Sequence, residues 1–144
     1  MPEQSYAKHT RLVPMFHGVL FLAVVAAFIL SLVTFYQGIG NPDGRMNLII
    51  LVLLSFSALL LFFFTRRFTV AVQDRAIRAE ENLRHYVLTG KLLDSRLTIK
   101  QIVGLRFASD AEFPALARKA ADEGLPLNEV KKQVKNWRAD HDRA

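Results

Sequence analysis

The chain has no cysteine, which excludes disulfides, thiolate metal sites and a cysteine nucleophile and is compatible with a reducing compartment. A second absence is local. No Asp, Glu, Lys or Arg occurs from Leu12 to Pro42 or from Met46 to Thr65. A bilayer span needs roughly 20 mostly apolar residues at about 1.5 Å rise each, and both stretches reach that length. Intramembrane charges are the usual marks of proton relays, voltage sensors and ion paths, so one copy of this chain is a poor transporter or channel. Glycine-rich phosphate loops, nucleophile elbows and zinc-ligand spacings are also missing. With these gaps, the sequence points away from an enzyme and implies no cofactor and no metal.

What is present predicts an all-α membrane protein. Its expected form is a two-helix transmembrane hairpin whose second helix extends into the cytoplasm, followed by a small cytoplasmic helical bundle. The predicted divisions are a cytoplasmic N-terminal segment 1–12, a first span 13–36, an external loop 37–45, a second span 46–65, a helical stem 66–89, a linker 90–97 and a helical domain 98–144. The first apolar run is about twice a signal-peptide core and lacks a small-x-small cleavage site, so it reads as a retained span. Lys8 and Arg11 precede it and Arg66 and Arg67 follow the second span, while the loop offers only Arg45 beside Asp43. The positive-inside rule then puts both termini in the cytoplasm of a bacterial inner membrane.

Within the first span Ala23, Ala27 and Ser31 recur every fourth residue, and Ser55 and Ala58 offer the second a matching shallow patch. Small residues at such spacing let helices approach closely, so these five are the expected helix-packing residues. Asn41-Pro42-Asp43-Gly44 reads as a type I turn between the spans. No Pro or Gly interrupts residues 66–88, and the second helix is expected to continue through them. Along it Val72, Ala76, Ala79, Leu83 and Tyr86 step by four and three, an apolar stripe for a partner helix or for the chain's own C-terminal part. Two heptads are too few to establish a coiled coil. Asp74 with Arg78 and Glu80 with Arg84 are spaced for acid-before-base pairs on one helix face.

Thr98 with Gln101 and Ser109 with Glu112 are capping-box spacings for two short helices, Asn128 is the expected cap of a third, and Gly124 with Pro126 closes the second. Ile99, Ile102, Phe107, Phe113, Leu116, Ala120, Leu127, Val130, Val134 and Trp137 are their expected apolar residues. So small a bundle gains from docking on the stem.

Charge is concentrated after Thr65, where 16 Lys and Arg face 11 Asp and Glu. A basic segment is drawn to anionic lipid headgroups by about 1 kcal/mol per cation at the surface. Arg66, Arg67, Lys131, Lys132, Lys135 and Arg138 form the expected basic surface. The paired carboxylates Glu80 with Glu81 and Asp122 with Glu123 are expected on open helical faces, in solvated ion pairs. His17 is the one titratable side chain inside an apolar stretch, hence a candidate interfacial ligand. The second span has no histidine to oppose it, which favours hydrogen bonding to headgroups, water or a neighbouring subunit over a haem or pigment. His9, His85 and His141 are too scattered for a metal site. Ala120, Gly124, Leu125 and Val130 have a helix-turn-helix spacing, with Asn128 to Trp137 as the recognition helix, but two short helices with a Gly turn show that spacing commonly.

Several stretches together resemble an uncharacterised family of small two-span bacterial membrane proteins, a domain of unknown function. They are Gln4-Ser5-Tyr6-Ala7, His9-Thr10-Arg11 and Pro14; Gln73-Asp74-Arg75 with Arg78 and Glu81; Leu105-Arg106-Phe107-Ala108-Ser109-Asp110; and Val134-Lys135-Asn136-Trp137-Arg138. The resemblance implies the hairpin with cytoplasmic helices and supplies no activity, ligand or catalytic residue. The expected function is a non-catalytic accessory, scaffold or adaptor subunit, as a homo-oligomer or in a larger membrane complex. The alternative is a membrane-tethered nucleic-acid binder using the C-terminal helices, which the salt dependence of binding distinguishes.

Overall fold

A computed structural model describes Tyr6 and residues 13–140. The rest of the N-terminal segment, with His9 and Arg11, and His141 lie outside the described residues. The described chain is helical, with no strand beyond an isolated antiparallel bridge between Ala108 and Trp137. It divides into two compact units at Phe68 and Thr69.

The first unit is a hairpin of two helices long and apolar enough to cross a membrane. Pro14 leads into a π-type segment, Met15–Leu20, that continues as α1, Phe21–Gly38. Asp43 N–H bonds Asn41 Oδ1 at 3.0 Å and Arg45 N–H reaches Pro42 O at 3.4 Å. The closing bond therefore spans residues 42–45, one place later than the expected turn. Gly44, at φ +94°, takes the third position, where a type II turn needs glycine.

Helix α2, Arg45–Thr89, is continuous over 45 residues, about 68 Å at 1.5 Å per residue. It ends where Gly90 turns left-handed at φ +73° and donates its N–H to Tyr86 O at 2.8 Å.

Hairpin contacts run antiparallel, from Phe16 stacked on Phe62 at 4.6 Å through Phe28 against Phe56 to Ser31 Oγ and Ser55 Oγ at 2.8 Å. The covered positions are Phe21, Val24, Phe28, Ser31, Phe35 and Gly38 against Leu48, Val52, Ser55, Leu59 and Phe62. Each set advances in threes and fours, the seven-residue rhythm of helices crossing at a shallow left-handed angle. The four-residue series of small side chains does not follow that seam. Ser31 and Ser55 meet, whereas Ala23, Ala27 and Ala58 are exposed. Rings and aliphatic side chains together fill the seam, and Gly38 supplies the close approach, since a Cβ there would overlap Leu48 Cδ1.

The second unit packs three short helices, α3 Ile99–Leu105, α4 Phe113–Glu123 and α5 Leu127–Gln133, with the stem portion of α2. Thr98 and Gln101 form the full capping box, with Gln101 N–H on Thr98 Oγ1 at 3.3 Å and Thr98 N–H on Gln101 Oε1 at 2.8 Å. Gln101 Nε2 then donates to Ala120 O and Leu125 O at 3.1 and 3.0 Å, fixing α3 against the end of α4. Gly124, at φ +61°, closes α4 as expected. Ser109 and Glu112 form only half a box, because the Glu112 side chain bonds Ser109 N–H while Ser109 Oγ accepts nothing from α4. Pro126, not Asn128, is the N-cap of α5.

The core holds Ile102, Leu105, Phe107, Phe113, Leu116, Ala120, Val130 and Val134, with Trp137 packed at its edge. Ile99 and Leu127 are only half-buried. Leu93 and Leu97, in the expected linker, are core residues as well. Gly104 lets α3 and α5 meet, since a Cβ there would sit 3.1 Å from Leu127 Cδ1 and 3.2 Å from Val130 Cγ1.

Candidate functional site at the stem and bundle

Arg84 organises the second unit. It lies on the stem, its side chain 11% exposed, and its NH1 donates to Glu81 Oε2 at 2.9 Å. Its Nε reaches Asp110 Oδ1 and its NH2 reaches Ala108 O, both at 2.7 Å. The guanidinium also covers the Phe113 ring, 4.5 Å from its centroid. The planar fork of arginine serves such divergent acceptors, which a single ammonium cannot. Two expectations change here. Glu81 is buried at 6% rather than on an open face, and Arg84 pairs with Glu81 and Asp110, not Glu80. A carboxylate three residues back on the helix lies nearer a guanidinium that is turned toward the bundle.

Other bonds fasten the same junction. Leu93 N–H donates to Asn82 Oδ1 at 3.2 Å, and His85 Nδ1 lies 2.7 Å from Lys91 O with its ring edge-on to Phe113. Ile77 is buried beside them on the stem. The docked face of the stem is thus Ile77, Glu81, Arg84 and His85. The stripe Val72, Ala76, Ala79, Leu83 and Tyr86 lies on the other side and is exposed throughout, with Val72 at 67%, Leu83 at 64% and Tyr86 at 53%. The reading in which this stripe docks the chain's own C-terminal part is therefore corrected. A helix face carrying a charged hub can bury because Arg84 divides its donors among Glu81, Asp110 and Ala108 O.

The C-terminal segment closes the unit. Ser109 N–H bonds Asn136 O at 3.1 Å, Arg138 N–H bonds Phe107 O at 2.7 Å, and the Phe107 and Trp137 rings lie 4.8 Å apart, tilted by 33°. The Glu112 carboxylate gathers three backbone amides, those of Ser109, Lys135 and Asn136, at 3.1–3.2 Å. The expected recognition helix, Asn128 to Trp137, is accordingly cut short. Helix α5 stops at Gln133, Val134 is extended, and Trp137 is spent on the core.

The basic surface is also broken up. Lys131 lies over the Phe107 ring at 5.6 Å, and Lys132 pairs with Glu129 at 2.9 Å, which pushes its pKa up. Lys135 and Arg138 are exposed. In the hairpin Arg66 is half-buried and Arg67 exposed.

At α4, Arg96 bridges Asp94 and Asp122 at 2.6 and 2.8 Å. Its hydrogen bond, with that of its own backbone N–H, lowers the Asp94 pKa to about 2, and the two carboxylates push the guanidinium pKa up. Two grooves flank the stem. One, of about 270 Å³, is lined by His85, Thr89, Lys91, Asp94 and Arg118, and the other, of about 360 Å³, by Arg75, Arg78, Ala79, Asn82 and Ile99. In the first, His85, Thr89 and Asp94 are engaged in bonds that hold the linker. His17 Nδ1 lies 3.1 Å from Val13 N and 3.2 Å from Val13 O at the head of the hairpin, so its imidazole is engaged by the local backbone. No group of His, Asp and Glu suited to a metal ion occurs among the described residues.

Sequence reasoning missed Arg84, Asp110 and the doubled use of Glu112. The signal available was the co-occurrence of Glu81, Leu105 to Asp110 and Val134 to Arg138 among the resembling stretches, which the fold brings into one cluster. A family model described as "Family of unknown function (DUF6526)" matches residues 1–144. No curated protein and no solved structure matches the chain.

Proposed function

The chain belongs to this family of unknown function, membership of which brings no activity, and we propose from its physical build that it is a non-catalytic integral membrane protein. Its role in this reading is that of an accessory, scaffold or adaptor subunit in a bacterial cytoplasmic membrane, with both termini inside. The hairpin provides two spans, and the unit from Thr69 on is the cytoplasmic part that meets partners or anionic headgroups. One observation carries the proposal. The hairpin turns its bulk apolar side chains outward, among them Leu22, Leu30, Leu54, Leu61 and Phe63, while its two seam serines bond each other inside. In water that arrangement would expose an apolar surface far beyond what soluble chains carry, whereas in hydrocarbon it is the stable one.

The test uses the native protein in its own membranes. Alkaline carbonate is expected to leave it in the pellet, and protease outside intact cells to leave the Trp137 region uncut. Mild detergent is expected to release it in an assembly heavier than the 16.3 kDa chain. Release by carbonate ends the membrane reading, external cleavage near Trp137 reverses the orientation, and a lone monomer removes the accessory-subunit role.

A further inference from the structure

Docking of the bundle uses the Ile77, Glu81 and Arg84 side of the stem, which leaves Val72, Ala76, Ala79, Leu83 and Tyr86 as an exposed apolar face on the opposite side. Their alternating steps of four and three make each a seam position of a seven-residue repeat. Residues flanking such a seam choose the partner and its direction. In two parallel helices, the residue just before one seam position faces the residue five places later on the neighbour. Arg75 precedes Ala76 and Glu80 follows Ala79, so a second stem in parallel register sets Arg75 of each copy against Glu80 of the other. Antiparallel stems would instead match each flank with itself and pair no opposite charges. Both residues are exposed, and neither takes part in an ion pair among the described residues.

We infer that this face is a homodimer seam on which a second copy of the chain docks in parallel, in register, through Val72 to Tyr86. The inference rests on the membrane reading above, because copies inserted with one topology project their stems the same way. Ala76 and Ala79 permit close approach at the centre, with Val72 on one side and Leu83 and Tyr86 on the other. Two heptads alone make a weak coiled coil. Confinement of both copies to one bilayer raises their effective concentration and supplies what so short a seam lacks.

The natural absence of cysteine permits a direct test with single-cysteine full-length variants oxidised in native membranes. A76C and A79C are expected to give disulfide-linked dimers about tenfold more readily than R78C, whose side chain points away from the seam. R75E, which places like charges together twice, is expected to lower the A79C dimer about tenfold, and R75E with E80R to restore it. Trp137 emission reports that each variant keeps its fold. Equal linkage at R78C, indifference to R75E, lack of rescue, or linkage of A79C to another polypeptide overturns the seam. If A79C stays unlinked while the detergent-extracted chain remains heavier than a monomer, the seam is wrong and the accessory role stands. A monomer under both conditions ends both.

Discussion

In the hairpin most of the apolar side chains point outward, and two hydroxyls meet within a seam otherwise made of rings and aliphatic side chains. From Thr69 on, Phe107 and Phe113 are sealed inside, and the buried Glu81 is paired with Arg84. Both units are helical and both use steps of three and four, yet only the hairpin is apolar outside as well as inside. Periodicity therefore locates a helix face without saying whether water or lipid lies beyond it. In the hairpin, seam and periphery are both apolar. In the C-terminal unit the docked stem face is the polar one, because Arg84 makes its burial tolerable.

The sharpest way to break this contrast is Arg84→Ala. It leaves Glu81 buried without its cation and should cost the C-terminal unit about 3–5 kcal/mol, read as early loss of Trp137 emission on heating the detergent-solubilised chain, with hairpin helicity retained. Phe107→Ala should cost about 3–4 kcal/mol by cavity formation and lost contact with Trp137, measured by denaturant midpoint. Gly104→Ala presses on Leu127 and Val130 and should cost about 1–2 kcal/mol.

Much of the fold was legible beforehand, for identifiable reasons. The uncharged runs, the unbroken α2 and the Thr98 and Gln101 box depend on local sequence, and each appears as expected. The rest depends on partners distant in the chain. Leu93 and Leu97 lie in a stretch too short to show periodicity, yet they are core because Asn82 holds the Leu93 amide. Glu112 has the spacing of a cap, but its carboxylate also serves Lys135 and Asn136, more than 20 residues away. Helix α5 has apolar spacing as far as Trp137, but bonding of residues 136 and 138 to Ser109 and Phe107 draws the chain out of the helix. The stripe on the stem was visible, while the docked face hid behind Glu81 and Arg84, which read as solvent residues.

Smaller effects sharpen the comparison further. Ser31→Ala should weaken the hairpin by about 0.6 kcal/mol, and adding Ser55→Ala should cost little more, because in the single variant Ser55 Oγ keeps only its bond to Val52 O in its own helix. Steric trapping of the hairpin in bilayers measures both.

The mildest expectation concerns Asp94. Its folded pKa, about 2, lies below the ordinary 3.8, so its contribution is complete above that ordinary range and fades as pH falls through about 2. Carboxyl NMR titration should find it there, and Arg96→Ala should return it toward 3.8.

The closure of the C-terminal unit by Val134 to Arg138 bears on its birth at the ribosome. Until that segment leaves the exit tunnel, Phe107 has no ring to cover it and the Glu112 carboxylate lacks two of its three amides, so the unit cannot be completed before the segment emerges. Chains truncated before Val134 and released should be degraded quickly, and the 144-residue chain should resist.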